Sequence, residues 1–329
     1  MSKPSGILQL LAIPLALGLA GCGAQNDGAS PPAEPPAPAA APVSGAAQTL
    51  PAPSWQEAAN ATYGGVFDEE TTMADGLWEG EPFVAGGASA PHAGLVDDFR
   101  LSGDLDGDGA EEAVVLLWSS SGGSGTFDYL AVLDRDAIGT VINRATAPLG
   151  DRVKVRAAAI EGGRVVVDAV QAGLDDAACC PGQKMRRTFV LEGEKMREAS
   201  TEDQGRLSLA DLEGEWKLLR FGPDEALPAD VEITLEFADG AIAGKAACNR
   251  YTAGVVPGDM PGTLSLSGPM AMTRMMCPPP LMDWEQRYSA ALEGLQQFSF
   301  VAGRLVLSWR GDDDAGTLTF VRAPGNQGL

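Results

Sequence analysis

The chain has 329 residues, with 45 acidic and 23 basic side chains and a net charge of −22. This length allows roughly two domains, and 41 Gly and 23 Pro beside only 6% aromatic residues favour short strands and turns over a helical bundle. The negative charge disfavours nucleic acid and anionic lipid head groups as partners. The single histidine, His92, nearly excludes catalytic triads and His-rich zinc sites.

Residues 1–21 have the pattern of a signal peptide. Lys3 supplies a positive start, and residues 7–19 form an apolar segment that is short for a bilayer span. The following Leu19-Ala20-Gly21-Cys22 resembles the lipobox of bacterial lipoproteins. The resemblance implies cleavage before Cys22 and lipidation of its thiol. Because residue 23 is Gly and not Asp, it also implies an outer-membrane anchor facing the periplasm; the alternative is an ordinary secretory signal.

Residues 22–53 are predicted to be the lipidated cysteine and a Pro/Ala-rich tether. Eight Pro and eight Ala occupy positions 31–53, and nothing there can build a hydrophobic core. Such a composition favours extended polyproline II structure. The membrane is therefore an expected partner, but only through the N-terminal lipid.

Residues 54–200 are predicted to form a β-rich domain. Ser54 and Glu57 have capping-box spacing at the start of a short helix. Because no long helical period separates the strand-like segments, the sheet is expected to be antiparallel. The strand-like segments are residues 113–118, 129–133, 152–156, 164–170 and 187–191.

The segment from Asp104 to Glu112 has the spacing of the first part of a calcium loop. Hard oxygen ligands can surround one cation there, and a glycine at the sixth position allows the tight turn. Position 12 is Val115, so the full EF-hand pattern fails. The segment resembles the turns of FG-GAP-type β-propellers, although a single copy does not support a propeller. The predicted ligands are Asp104, Asp106, Asp108, Glu112 and the Ala110 carbonyl; the alternative is an acidic turn with solvated carboxylates.

No pattern of an enzyme site stands out in the chain. His92 has no neighbouring carboxylate before Asp97, and the Ser/Gly-rich segment 119–126 lacks both a P-loop lysine and the spacing of a nucleophile elbow. We therefore expect a protein that is not an enzyme.

Residues 207–323 are predicted to form a second domain, rich in strands and with one helix. Strand patterns occupy residues 214–221, 231–237, 263–266, 304–309 and 317–321. Residues 281–295 have a helical period, with apolar residues on one face after three prolines. The fold class expected for the chain is mainly β with a few helices, in two antiparallel domains.

Several motifs of this second domain resemble those of the META-domain family, the HslJ-like heat-shock-inducible proteins. They are Leu212-x-Gly214-x-Trp216, Cys248-Asn249-Arg250-Tyr251, Thr273-Arg274-Met275-Met276-Cys277-Pro278 and Glu285 in the helix. The family commonly has Gly where this chain has Ala247. The whole chain also resembles proteobacterial META-domain-containing lipoproteins. The resemblance implies a compact antiparallel β fold with one helix, a cell-envelope location and links to stress, and it supplies no catalytic residues.

Four cysteines remain after Cys22, and in an oxidising compartment they allow three disulfide pairings. We expect Cys248 to pair with Cys277, which leaves Cys179 and Cys180 as a vicinal bridge or as two thiols. Five methionines lie near Cys277 in the sequence, and sulfur ligands suit Cu(I). The main expectation is a non-enzymatic envelope-stress or accessory binding module with a structural calcium ion. The alternative is a redox- or copper-responsive protein that uses Cys179, Cys180 and the methionines around Cys277.

Overall fold

The structure is a computed structural model that describes residues 50–177 and 179–323. The predicted signal peptide, Cys22 and all but the last residues of the predicted tether lie outside the described residues. Within the described part, no helix is long and apolar enough to cross a membrane.

The described chain begins with a short helix and a small sheet. Helix α1 (Trp55–Ala58) starts at the predicted capping box: the Glu57 carboxylate accepts from the Ser54 backbone N–H at 2.8 Å, and the Glu57 N–H donates to the Ser54 hydroxyl at 3.3 Å. This exchange satisfies two amide groups that a helix start otherwise leaves unpaired. Strands β1 (Thr62–Tyr63) and β2 (Thr71–Thr72) pair with each other.

A five-stranded antiparallel sheet follows, with its strands side by side in chain order. Its central strand is apolar on both faces because each face covers a hydrophobic core, one shared with α1 and one with the next sheet. The strands are β3 (Leu77–Glu79), β4 (His92–Gly103), β5 (Glu112–Ser120), β6 (Phe127–Arg135) and β7 (Val141–Asp151).

A four-stranded antiparallel sheet packs on the inner face of the five-stranded one. Val114 and Leu116 of β5 share a core with Val155, Val167 and Phe189 of this second sheet. Together the two sheets form what we call the N-terminal sandwich. The strands of the second sheet are β8 (Lys154–Glu161), β9 (Arg164–Gln171), β10 (Gln183–Glu192) and β11 (Lys195–Arg206).

The remaining strands form one antiparallel, barrel-like sheet, here called the C-terminal barrel. A bridge between Thr263 and Gln297 joins the two ends of the sheet. After a 3₁₀ turn (Leu209–Leu212), the strands are β12 (Gly214–Phe221), β13 (Glu225–Ala226), β14 (Thr234–Ala238), β15 (Ala241–Ala246), β16 (Asn249–Pro257), β17 (Leu264–Leu266), β18 (Ala271–Met272), β19 (Leu295–Val301), β20 (Arg304–Arg310) and β21 (Ala315–Arg322).

Helix α2 (Pro279–Glu293) lies between β18 and β19 and buries Tyr288, Ala291 and Leu292 in the barrel core. It starts two residues before the predicted helix because proline fits the first helical turn. The expected fold class is confirmed: the structure is mainly antiparallel β, with two helices, one of them in the C-terminal barrel.

The sandwich and the barrel are in direct contact. The Gly303 N–H donates to the Val155 carbonyl at 3.1 Å. Arg304 donates to the Asp98 carboxylate at 2.8 Å, from the β19–β20 hairpin to a bulge in β4. Asp98 has a φ of 56°, so the bulge holds it in the left-handed region and directs its side chain to the barrel.

Candidate functional site

The Asp-rich loop connects β4 to β5 at one end of the sandwich. Asp104, Asp106 and Asp108 each offer a carboxylate oxygen, and these three oxygens all lie within 4.8 Å of one another. Two glycines make the turn possible, since Gly107 and Gly109 have φ values of 83° and 91°. The loop therefore gathers three exposed negative charges around one point.

Hydrogen bonds within the loop orient these carboxylates. Asp104 accepts from the N–H groups of Gly107 and Gly109, at 2.7 and 3.1 Å. Asp106 accepts from the Asp108 N–H at 3.1 Å, and Asp108 accepts from the Ala110 N–H at 2.7 Å. Because each aspartate is fixed by the loop backbone, the cluster is preorganised.

Glu112, the predicted last ligand, is the first residue of β5 and is fully buried. Its Oε2 accepts from the Leu105 N–H at 2.7 Å, whereas its Oε1 is buried without a hydrogen-bond partner. Burial raises the pKa of Glu112 to about 7, the Leu105 hydrogen bond opposes this shift, and Asp106 adds to it. Glu112 is not among the carboxylates whose oxygens lie within 4.8 Å of one another, so the structure brings together three of the four predicted carboxylate ligands. A buried carboxylate oxygen without a partner is costly unless a proton or a cation reaches it.

One arginine side chain, that of Arg144, forms an ion pair with this cluster. Nη1 of Arg144, on β7, lies 2.7 Å from Asp106 and 2.9 Å from Asp134. An open depression of about 770 Å³ lies beside these groups and is also lined by Asp108. The sequence contains no local signal for Arg144 or Asp134, because they reach the loop from other strands.

The donor set fits a hard divalent cation. Three aspartates and the free oxygen of Glu112 are all oxygen ligands of the kind that Ca²⁺ prefers. Arg144 pairs with Asp106, whereas no cation among the described residues lies within ion-pair distance of Asp104 or Asp108. Ala110 lies in the same turn, as its N–H bond to Asp108 indicates.

The cysteines form two pairs. A disulfide joins Cys248, at the start of β16, to Cys277, just before α2, with Cα atoms 6.2 Å apart. Cys179 and Cys180 are bonded to each other in the turn between β9 and β10; Cys179 is exposed and Cys180 is buried.

The methionines near Cys277 are divided between two environments. Met270 and Met272 pack against the barrel core. Met275, Met276 and Met282 are exposed, Met276 almost completely. Since Cys277 is bonded to Cys248, its thiolate is not free to join them as a soft metal ligand.

Three of the motifs that carry the family resemblance meet in one network around Asn249. The Asn249 side chain accepts from Thr273 Oγ1 at 2.8 Å and from the Met275 N–H at 2.7 Å, and it donates to Glu285 at 3.1 Å. The next motif residue, Tyr251, is buried and donates to the Thr234 carbonyl at 3.0 Å. The Asn249 contacts attach the segment before α2, and α2 itself, to β16.

Comparison with known proteins identifies one family. The META domain matches residues 208–325. An NMR structure of a protein from Burkholderia xenovorans is 23% identical, with a match that covers 39% of this chain and 98% of that chain at a TM-score of 0.29. No curated protein matches the chain. The C-terminal barrel, with its disulfide and its Asn249 network, is therefore a META domain of the HslJ-like family.

Proposed function

We propose that the protein is an outer-membrane lipoprotein, anchored at Cys22 and facing the periplasm, whose N-terminal sandwich is stabilised by one Ca²⁺ ion. In this proposal it is a non-enzymatic envelope-stress or accessory binding module. The META domain is not a known enzyme family, which agrees with such a role. The calcium part has the most specific structural support.

One observation carries the calcium proposal: three aspartate oxygens lie within 4.8 Å of one another, and Glu112, at the end of the same loop, keeps a buried oxygen without a hydrogen-bond partner. An acidic turn that is merely solvated would not need a buried carboxylate at its end. A bound Ca²⁺ would give Glu112 its missing partner and offset the repulsion among the aspartates.

The test is thermal unfolding of the full chain in detergent, with calcium and with a chelator. A site filled to a hundred times its Kd stabilises the native state by about 2.7 kcal/mol. Glu112→Gln is expected to lose most of the calcium-dependent shift. In chelator the Glu112→Gln variant should unfold at the same temperature as the native chain or at a higher one, because the substitution removes a buried charge.

Asp136→Asn is the control variant, because it removes a carboxylate that lies outside the loop. Asp136 lies in the β6–β7 turn and accepts from the N–H groups of Ile138 and Thr140 at 3.0 and 2.8 Å, like the loop aspartates, but outside their cluster. It should keep the full calcium response. An identical unfolding temperature of the native chain in calcium and in chelator, with no heat of calcium binding, would rule out the site.

The anchor is tested separately by labelling cells with radioactive palmitate. The native chain should take up the label and Cys22→Ser should not. The rival redox or copper role needs reduced cysteines, and a count of free thiols in the unfolded protein tests it. Four oxidised cysteines besides Cys22 favour the structural role.

A further inference from the structure

A cleft of about 860 Å³ separates the N-terminal sandwich from the C-terminal barrel. Strands β4, β8 and β9 form its sandwich side, and β12, the β19–β20 hairpin and β21 form its barrel side. Its wall includes Arg156 from the sandwich and Arg322, Trp216 and Phe300 from the barrel. We call it the arginine cleft.

Two of the three arginines that line the cleft stack on neighbouring aromatic rings, and the third, Arg100, donates to the Pro53 and Ala52 carbonyls. The guanidinium carbon of Arg322 lies 4.4 Å from the ring centre of Trp216, and that of Arg156 lies 5.3 Å from the ring centre of Phe300. The two rings are themselves 6.4 Å apart. Stacking holds each guanidinium flat and leaves its edge for hydrogen bonds in the plane.

Neither of the two stacked arginines has a carboxylate to itself. Asp211 is buried and accepts from both Arg156, at 2.9 Å, and Lys184, at 2.8 Å. Among the described residues, no carboxylate lies within ion-pair distance of Arg322, whose Nη1 donates to the Glu213 carbonyl at 3.2 Å. The Nε of Arg156 is buried without a hydrogen-bond partner.

The acids in the cleft wall do not supply the missing charge. Asp98 pairs with Arg304 at 2.8 Å and Asp168 pairs with Arg186 at 3.4 Å. Glu213, the third acid of the wall, forms no ion pair with either stacked arginine among the described residues. Burial and the nearby charge of Arg156 lower the pKa of Arg322.

We propose that the arginine cleft binds the carboxylate or phosphate group of a small organic anion, with Arg322 and Arg156 as its main contacts. Planar guanidinium groups donate two parallel hydrogen bonds to either oxyanion. The cleft has the size of a small-molecule site. Since one arginine comes from the sandwich and the other from the barrel, the ligand would bridge the two parts.

The test uses inorganic phosphate and succinate as the two probes, titrated into the isotopically labelled full chain at constant ionic strength with chloride as balance. The indole N–H resonance of Trp216 is the readout, because that ring lies under Arg322; Trp216→Phe assigns it. We expect saturable shifts with one or both probes. A shift with phosphate alone identifies a phosphorylated ligand, and a shift with succinate alone identifies a carboxylic acid.

Arg322→Gln and Arg156→Gln should each weaken binding about tenfold or more, the cost of losing a charge-assisted hydrogen bond. Arg197→Gln, an exposed arginine of β11 that pairs with Glu192, is the matched control and should bind as the native chain does. If Arg322→Gln does not fold, the affinity of Arg156→Gln, measured from the same Trp216 resonance, tests the proposal. No saturable shift with either probe, or native affinity in both variants, would overturn the proposal.

The outcome of the anion-binding test does not depend on the calcium proposal. Glu112→Gln removes a predicted calcium ligand that does not line the arginine cleft, and this variant is expected to bind the probes with unchanged affinity. An absence of anion binding would therefore not contradict the calcium proposal, and an absence of calcium binding would not contradict the anion proposal.

Discussion

The Glu285 carboxylate holds Asn249 at two points. Its Oε2 accepts from the Asn249 backbone N–H at 2.7 Å, and its Oε1 accepts from the Asn249 side-chain amide at 3.1 Å. Glu285 lies on α2, whereas Asn249 begins β16. The pair therefore connects the helix to the barrel wall at the position where the family motifs meet.

Asn249→Ala should destabilise the protein by about 3 kcal/mol, because it leaves several buried hydrogen-bonding groups without a partner. Gln286→Ala, on the exposed side of the same helix, is the control and should change stability by less than about 0.5 kcal/mol. Chemical unfolding of both variants measures the difference. Equal midpoints would show that the network contributes nothing to stability.

Ala247→Gly is expected to stabilise the protein. Ala247 has a φ of 62°, in the left-handed region where a side chain is strained, and it stands where the family commonly has glycine. Glycine also loses more backbone entropy on folding than alanine does, so the net increase in the free energy of unfolding should be about 0.5 kcal/mol. Ala246→Gly, in the last position of β15, is the control and should lower the unfolding temperature.

Removal of the Cys248–Cys277 disulfide should cost about 3.5 kcal/mol by the chain-entropy estimate for a separation of 29 residues. The measurement is the unfolding free energy of the double alanine variant. The matched control is the double alanine variant of Cys179 and Cys180, whose bond joins neighbouring residues and so restricts the unfolded chain much less. A larger loss from the vicinal pair would contradict this account.

Much of the fold could be predicted because local patterns reflect burial. The apolar segment 113–118 belongs to β5, which is covered on both faces, and the helical period near residue 281 belongs to α2. Strand β11 (Lys195–Arg206) was not predicted, since it is mostly exposed and charged and exists because it pairs with β10. A strand held mainly by its partner has no apolar signature of its own.

The candidate sites differ in the same way. The Asp-rich loop is contiguous, so its spacing could be recognised from the sequence. Arg144 reaches Asp106 from β7, and the arginine cleft joins Arg156 of β8 to Arg322 of β21. Contacts between distant strands depend on how the sheets pack, which no local spacing encodes.

The pH dependence of stability should reveal a half-buried acid, Asp128 of β6. Burial raises the pKa of Asp128 from 3.8 to about 7, although Lys154 and the Val153 N–H oppose the shift and Asp151 adds to it. Between these two pH values the folded protein holds a proton that the unfolded chain releases, so the free energy of unfolding falls as pH rises from about 4 to 7.

Asp128→Asn cannot ionise and should lose this contribution. Between pH 5 and pH 8 the native chain is expected to lose about 2 kcal/mol of stability more than the variant does. Chemical unfolding at the two pH values gives the difference. Glu236→Gln, an exposed acid of β14, is the control and should follow the native chain. Parallel pH profiles for the native chain and Asp128→Asn would show that Asp128 is ionised in the folded protein as readily as in the unfolded one.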